Sequence, residues 1–284
     1  MNRHEVHVFE NGTASIRDLE AGETMHSQVG PDAEAQKVYI EQSGLADRLG
    51  DEASIQTPLV LYDVGMGIAS NAIAAIELAL SQKTARPLHI VSFENTLDGL
   101  ELALKDPESF PTQARHREKL EALIRDRSWI SPAGPTEKIH WELRFGDFLD
   151  QELSPAPEVI FYDFYSPKAA PQLWTLRCFE RLFSSCESRR TSGRSTVLTT
   201  YSAATFVRSA LLLSGFSVGY GAQTELKAET TLASTQLKDL KNPLGMPWLE
   251  RLLRSSKPLP MDIDAANSQI ALAKIQASSQ FRLR

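Results

Sequence analysis

From Pro58 onward the sequence switches between short apolar runs and longer helical stretches, and this alternation constrains the fold more than any other feature. Leu59-Val60-Leu61-Tyr62 is a brief apolar run bounded by Pro58 and Gly65, the texture of a strand buried on both faces. Asn71 to Leu80 (NAIAAIELAL) carries little polarity and predicts a helix packed on a sheet. Leu88 to Phe93, Ile139 to Phe145, Val159 to Tyr162 and Thr196 to Thr200 read as four further strands, with a long polar helical stretch running through Arg125 after the first of them. Ala203 to Ser214 predicts a helix stopped by Gly215, and Phe216 to Tyr220 with Glu229 to Ser234 predicts a closing antiparallel pair. Repeated strand–helix units call for an α/β fold with a doubly wound, mostly parallel seven-stranded sheet and an antiparallel closing strand.

Residues 1–57 have a different texture and read as an N-terminal β-rich and helical cap. Asn11-Gly12 after His4 to Phe9 suits a hairpin, since both residues tolerate positive φ, and Pro31-Asp32 opens a helical pattern with Val38, Ile40 and Leu45 as its apolar positions. Residues 58–260 form the expected main domain and 261–284 a C-terminal tail. No apolar run reaches the roughly 18 to 20 residues that span a bilayer, and Met1-Asn2-Arg3-His4-Glu5 lacks the apolar segment of a signal peptide. With only two cysteines, Cys178 and Cys186, in a predicted helix, a disulfide framework is not expected, which fits a cytoplasmic protein. The six histidines show no metal-ligand spacing along the chain, and no metal is expected; His26 reads as a structural histidine. The net charge is −6 and uneven: residues 1–60 hold eleven acids and four bases, whereas 168–194 hold six bases against two acids and 241–284 seven against three. A polyanion could meet those basic segments locally, although a solvated helix face would look the same.

In a parallel sheet, ligands bind outside the carboxyl ends of the strands. After the first strand comes Asp63-Val64-Gly65-Met66-Gly67-Ile68-Ala69-Ser70-Asn71, where Gly65 and Gly67 let backbone approach a ligand and the next helix presents its N-terminal N–H groups. Ser70 occupies the third glycine position of the dinucleotide fingerprint, so a pyrophosphate is disfavoured. The loop is closer to the D/E-x-G-x-G-x-G turn of S-adenosylmethionine enzymes, with Ala69 in place of its last glycine; a tight turn without ligand would use the same residues. Glu94 ends the second strand and is placed to accept ribose hydroxyls, and Gly146-Asp147 ends the third, where an acid could accept an adenine amino group. A cap or a turn accounts for either acid equally well. The fourth strand ends in Asp163-Phe164-Tyr165-Ser166-Pro167-Lys168. Aromatic rings beside a carboxylate suit a flat substrate carrying an amine, with Asp163 orienting the amine or helping to deprotonate it; a core aromatic cluster capped by Asp163 is the alternative.

These residues together resemble the methyltransferase domain of the MnmC-type tRNA modification enzymes, over roughly Gly22 to Pro260. The resemblance rests on Met25-His26-Ser27 with Gly30-Pro31 and Glu34-Ala35, the Asp63 to Asn71 loop, Phe93-Glu94, Phe145-Gly146-Asp147, the Asp163 to Lys168 stretch with Trp174-Thr175, Thr200-Tyr201-Ser202-Ala203-Ala204-Thr205, Val207-Arg208 and Trp248-Leu249-Glu250-Arg251. It implies a Rossmann-like class I fold and methyl transfer from S-adenosylmethionine to the amine of 5-aminomethyl-2-thiouridine at the tRNA wobble position. Asp163 then falls on the active-site aspartate, and Asp63, Gly65, Gly67, Asn71, Glu94 and Asp147 on the cofactor site. Tyr165, Ser166, Lys168 and Tyr201 are the candidate substrate contacts. The resemblance further implies the free-standing form, with tRNA as partner and a separate oxidase supplying the aminomethyl group. Two residues depart from the family pattern: Ala69, and Phe164 where a glycine usually follows the aspartate. A methyltransferase acting on a small-molecule or protein amine, and a non-catalytic cofactor-binding protein, are the alternatives that these departures and the negative charge leave open.

Overall fold

The computed structural model describes residues 3–82, 86–132, 139–224 and 228–282. The chain divides into two compact units, residues 1–152 with 159–165 and residues 153–158 with 166–284.

In the first unit, strands β1 (His4–Val8) and β2 (Ala14–Asp18) form the hairpin expected at Asn11-Gly12, with β3 (Glu23–Thr24) paired on the far side of β2. Asn11 Oδ1 accepts the Thr13 N–H at 3.1 Å, so the side chain itself closes the turn. Helix α1 (Pro31–Glu34) runs into a π-helical turn (Ala35–Glu41), and α2 (Leu45–Leu49) follows Gly44. Then come β4 (Leu59–Val64), α3 (Ser70–Ser81) and β5 (Leu88–Glu94). The long polar stretch is three helices rather than one, α4 (Asp98–Lys105), α5 (Pro111–Arg115) and α6 (Arg117–Asp126). Pro107 and Pro111 separate α4 from α5, since proline removes a donor and clashes with the preceding turn; α5 and α6 part at His116, which leaves the helical conformation at φ −102°. Next are β6 (Ser128–Ile130), β7 (Ile139–Phe145) and β8 (Val159–Tyr162).

The strand order in this unit is β8-β4-β5-β7-β6. The β8–β4, β4–β5 and β5–β7 pairings are all parallel and β6 is antiparallel on the edge. β6 was not expected; three residues are too few to show a period. Register places Asp63 beside Ser92 and His89 beside His140. Because side chains alternate between faces, Asp63, Ser92, Glu94 and Trp141 share one face, while Tyr62, Phe93, His89, His140 and Glu142 share the other. On the latter, rings contact edge to face in series, Tyr62–Phe93 (5.2 Å), Phe93–Phe148 (5.2 Å), Phe148–Phe164 (5.6 Å) and Phe164–Tyr162 (5.3 Å).

The second unit holds α7 (Leu176–Ser185), α8 (Glu187–Thr191), β9 (Val197–Thr200), α9 (Thr205–Ser214), β10 (Ser217–Tyr220), β11 (Thr231–Ser234), α10 (Met246–Leu253) and α11 (Ala265–Gln276). Its strands lie in the order β10-β11-β9, and β11 is antiparallel to both neighbours. All seven expected strands are therefore present, β6 makes an eighth, and the closing pair has the expected direction. α7 starts at Thr175, whose hydroxyl accepts the Cys178 N–H, and α11 at Asp264, which accepts the Asn267 N–H, both N-caps. Gly215, at φ 114°, ends α9 where a β-carbon would lie 2.6 Å from the Phe183 ring. Cys178 and Cys186 are buried and not disulfide-bonded, and no helix among the described residues is long and apolar enough to cross a membrane.

The interior of the second unit carries a fully buried Arg208, which donates to Thr231 Oγ1 (3.0 Å), Glu229 Oε1 (2.8 Å) and the Thr230 carbonyl (2.8 Å) and lies over the Tyr220 ring. Removing a buried cation strands its acceptors. Arg208→Ala is expected to lower unfolding stability by about 3 kcal/mol, measured by urea titration.

Candidate active site

Both expected glycines take positive φ after β4, Gly65 at 87° and Gly67 at 53°, but for different reasons. A β-carbon on Gly65 would lie 2.4 Å from the Asp163 carbonyl oxygen and 2.9 Å from its carbon. The carboxyl ends of β4 and β8 therefore meet where no side chain fits. On Gly67 the nearest atom would be Met25 Sδ at 3.5 Å, an ordinary contact. The main task of Gly67 is to donate its N–H to Glu94 Oε2 at 2.9 Å. Ala69 also takes the left-handed conformation, φ 68°, and caps α3 without a side-chain acceptor, so the first-turn N–H groups face the loop as they do in anion and cofactor sites.

Three carboxylates gather at these strand ends. Asp63 is fully buried; its Oδ2 accepts from Ser92 Oγ (2.7 Å), which in turn accepts from Trp141 Nε1 (2.9 Å). Burial raises the Asp63 pKa to about 7, the Ser92 bond opposes the rise, and the charges of Asp163 and Glu94 add to it. Glu94 is held by the N–H groups of Gly67, Asn95 (2.8 Å) and Thr96 (3.2 Å). Burial pushes its carboxyl above the usual range against those donors. Asp163 follows β8, its N–H on the Val64 carbonyl, and Asn71 Nδ2 donates to its Oδ2 at 2.8 Å. Asp63, Gly65, Gly67, Asn71, Glu94 and Asp163 thus form one constellation. Asp147 stands beside it: the Gly146 N–H donates to the Glu94 carbonyl at 2.9 Å, and exposed Asp147 accepts the Leu149 N–H at 2.9 Å.

Tyr165 belongs to the same unit. Burial, then the charges of Asp18 and Glu94, push its hydroxyl pKa well up, so the phenol keeps its proton. Asp18 was missed from the sequence. It is buried and holds Arg3 through Oδ2 (3.0 and 2.8 Å) and the N–H groups of Glu20 and Ala21 through Oδ1. Its bonds to Glu20 and Ala21 are those of an ordinary turn, and its pairing with Arg3 forms only across the hairpin, so no sequence signal marks it. Ser92 and Trp141, the supports of Asp63, were also missed. Ser166, Lys168 and Tyr201 fall in the second unit; Ser166 Oγ accepts the Lys168 N–H at 3.3 Å and Lys168 is exposed. His26 is buried, which lowers its pKa to about 4; its backbone N–H donates to Ser15 Oγ at 3.0 Å, and its ring Nδ1 has no hydrogen-bond partner among the described residues. Phe164 is a packing residue, its ring between Phe148 and Tyr162.

The residues fit S-adenosylmethionine. The glycine turn and uncapped helix start accommodate a small polar chain, a fixed Glu94 suits a ribose diol, and clustered carboxylates favour a cationic ligand. Residues 127–236 match the model of an S-adenosyl-L-methionine-dependent methyltransferase family. The bifunctional protein MnmC of tRNA 5-methylaminomethyl-2-thiouridine biosynthesis from Leptospira interrogans is 26% identical over 77% of this chain and 33% of its own length. The protein of that name from Stutzerimonas stutzeri is 29% identical over 85% of this chain and 36% of its own. The chain spans about a third of the length of these curated relatives. The solved structure of MnmC2 from Aquifex aeolicus has the same Rossmann-like fold, with a TM-score of 0.69 at 22% identity over 97% of this chain and 84% of that one.

Gly65→Ala is expected to cost more than about 3 kcal/mol, because backbone must move, and Gly67→Ala only about 1 kcal/mol for its left-handed φ; urea midpoints separate the two. For Asp63 the folded-state pKa of about 7 lies above the ordinary value of 3.8. Its contribution to stability is therefore full below the unfolded pKa and lost as pH rises through 7. Asp63→Asn is expected to flatten the fall in urea midpoint between about pH 4 and 7.

Proposed function

We propose that this chain methylates the amine of 5-aminomethyl-2-thiouridine at the wobble position of tRNA, in the cytoplasm, with S-adenosylmethionine as donor. The observation that carries the reading is the Asn71–Asp163 hydrogen bond beside the Gly65 turn: a carboxylate fixed in direction at the same carboxyl edge of the sheet as Glu94. When bound, S-adenosylmethionine supplies an electrophilic methyl group on a sulfonium centre. In this reading Glu94 accepts the ribose hydroxyls, and Asp147 receives the adenine amino group. Asp163 accepts an N–H of the incoming amine, turns its lone pair toward the methyl carbon and stabilises the ammonium as the N–C bond forms and the S–C bond breaks. Tyr165, protonated, lends a ring wall and a donor, and Ser166, Lys168 and Tyr201 are the proposed contacts to the tRNA side. A separate oxidase is the proposed source of the aminomethyl group.

The names of the relatives support tRNA as substrate, and so do basic side chains of the second unit. Arg189 and Arg190 are engaged locally, with Glu158 at 3.0 Å and with Glu187 and the Phe183 ring. Arg177 and Arg254 are exposed and are, with Arg181, the proposed phosphate contacts.

Calorimetry is expected to show micromolar binding of S-adenosylmethionine and none of NAD. Glu94→Ala should weaken it at least about tenfold, two charge-assisted bonds being lost. Asp163→Ala should keep cofactor affinity and lower methylated nucleoside, read by mass spectrometry of digested tRNA, by about a hundredfold or more. Charge reversal at Arg177, Arg181 and Arg254 should weaken tRNA binding and flatten its salt dependence. Turnover of small amines with no tRNA binding at low salt would replace tRNA by a small-molecule or protein amine. Cofactor binding without any methylated product would leave a non-catalytic binding protein.

A further inference from the structure

At the amino ends of β5 and β7, opposite the carboxylate end, lies a second cluster of ligand-type side chains. His89 and His140 are each the second residue of their strand and sit side by side in the parallel register. Their rings stack at 4.6 Å with 16° between planes. Glu142, two residues further along β7, shares their face and brings Oε1 to 3.4 Å from His89 Nε2. One ligand atom from each of the three lies within 4.8 Å of the others, and all three residues are half-buried. His89 Nε2 is itself buried and finds no hydrogen-bond partner of acceptable geometry.

We propose that His89, His140 and Glu142 form a binding site for a zinc-class divalent metal ion, with water in the fourth position. A tetrahedral ion with bonds of about 2.0 to 2.2 Å holds its ligand atoms about 3.3 Å apart. The His89–Glu142 pair is already at that spacing, and the remaining separations close by rotation of a ring about its side-chain torsions. Two imidazoles with one carboxylate select zinc, copper or nickel over magnesium or calcium. The carboxylate is oriented from outside: Arg144 Nη2 donates to Glu142 Oε1 at 3.1 Å, while Nη1 donates to the Glu152 carbonyl. Such a bond to a ligating carboxylate leaves its other lone pairs for the metal. His89 and Glu94 are five residues apart on β5, about 16 Å at strand rise. The ion therefore touches no reacting atom and joins β5 to β7, tightening the edge of the sheet.

The test uses tag-free protein stripped with EDTA and returned to chelator-free buffer. Zinc chloride titrated by calorimetry is expected to bind one ion per chain with a Kd of about 10 μM or tighter. It should raise the melting temperature by about 3 °C at saturation. Cobalt(II) in its place should give the intense visible bands of a tetrahedral site. His140→Ala and Glu142→Gln should each weaken zinc at least tenfold and abolish the cobalt bands; Glu142→Gln keeps an acceptor for Arg144, so its fold is preserved. Zinc binding weaker than about 100 μM, or binding unchanged in both variants, overturns the assignment.

Discussion

The carboxyl ends of β4 and β8 come so close that Gly65 has no room for a side chain, and the arrangement of the active site follows from that contact. Asp163 is fixed through its backbone, with its N–H on Val64 and its carbonyl against Gly65. Asn71, on the first turn of α3, gives its carboxylate a direction. The same approach turns Phe164 to the opposite face, where it completes the series of rings from Tyr62 to Tyr162. A bulky residue after the aspartate is compatible with this loop because its ring packs between Phe148 and Tyr162.

Gathering three acids at one place is costly, and the chain manages each acid differently. Glu94 is spread over three backbone N–H donors. Asp63 has one hydroxyl, backed by an indole N–H, and its raised pKa is the consequence of burial with so few donors. Asp163 has an amide. The cluster is thereby suited to a positively charged ligand: a sulfonium or an ammonium adds to the countercharge that Arg3 offers Glu94. A buried acid near its titration point also tolerates a neighbouring carboxylate better than a second full charge would.

Much of this was legible in the sequence, because it depends on order along the chain. Short apolar runs between helices gave the strands, and each strand's last residue gave a candidate ligand; Glu94 and Asp163 stand where that reasoning put them. What depends on register was not legible. Trp141 reaches Ser92, and Ser92 reaches Asp63, only because three strands align laterally. Asp18 meets Arg3 only when the hairpin closes. The split of α4 from α5 was available from Pro107 and Pro111 and was masked by continuous helical periodicity on either side of them. Ala69 departs from the glycine pattern of the loop, yet it adopts the glycine-like φ of 68° that the loop demands, at a conformational cost of about 1 kcal/mol.

Register also explains why histidines 51 positions apart can act together. Spacing rules for metal ligands describe helices and tight loops, where partners are close in sequence; in a parallel sheet the equivalent relation lies across strands and leaves no local signature. The alignment that places Ser92 beside Leu143 on one face places His89 beside His140 and, two residues along, Val91 beside Glu142 on the other. A one-residue slip of β7 would send His140 and Glu142 to the opposite face and move Trp141 off Ser92. The buried support of Asp63 and the histidine pair are therefore set by one variable, the β5–β7 register, and anything that tightens the amino ends of those strands also holds in place the hydrogen bonds under the carboxylates at the other end.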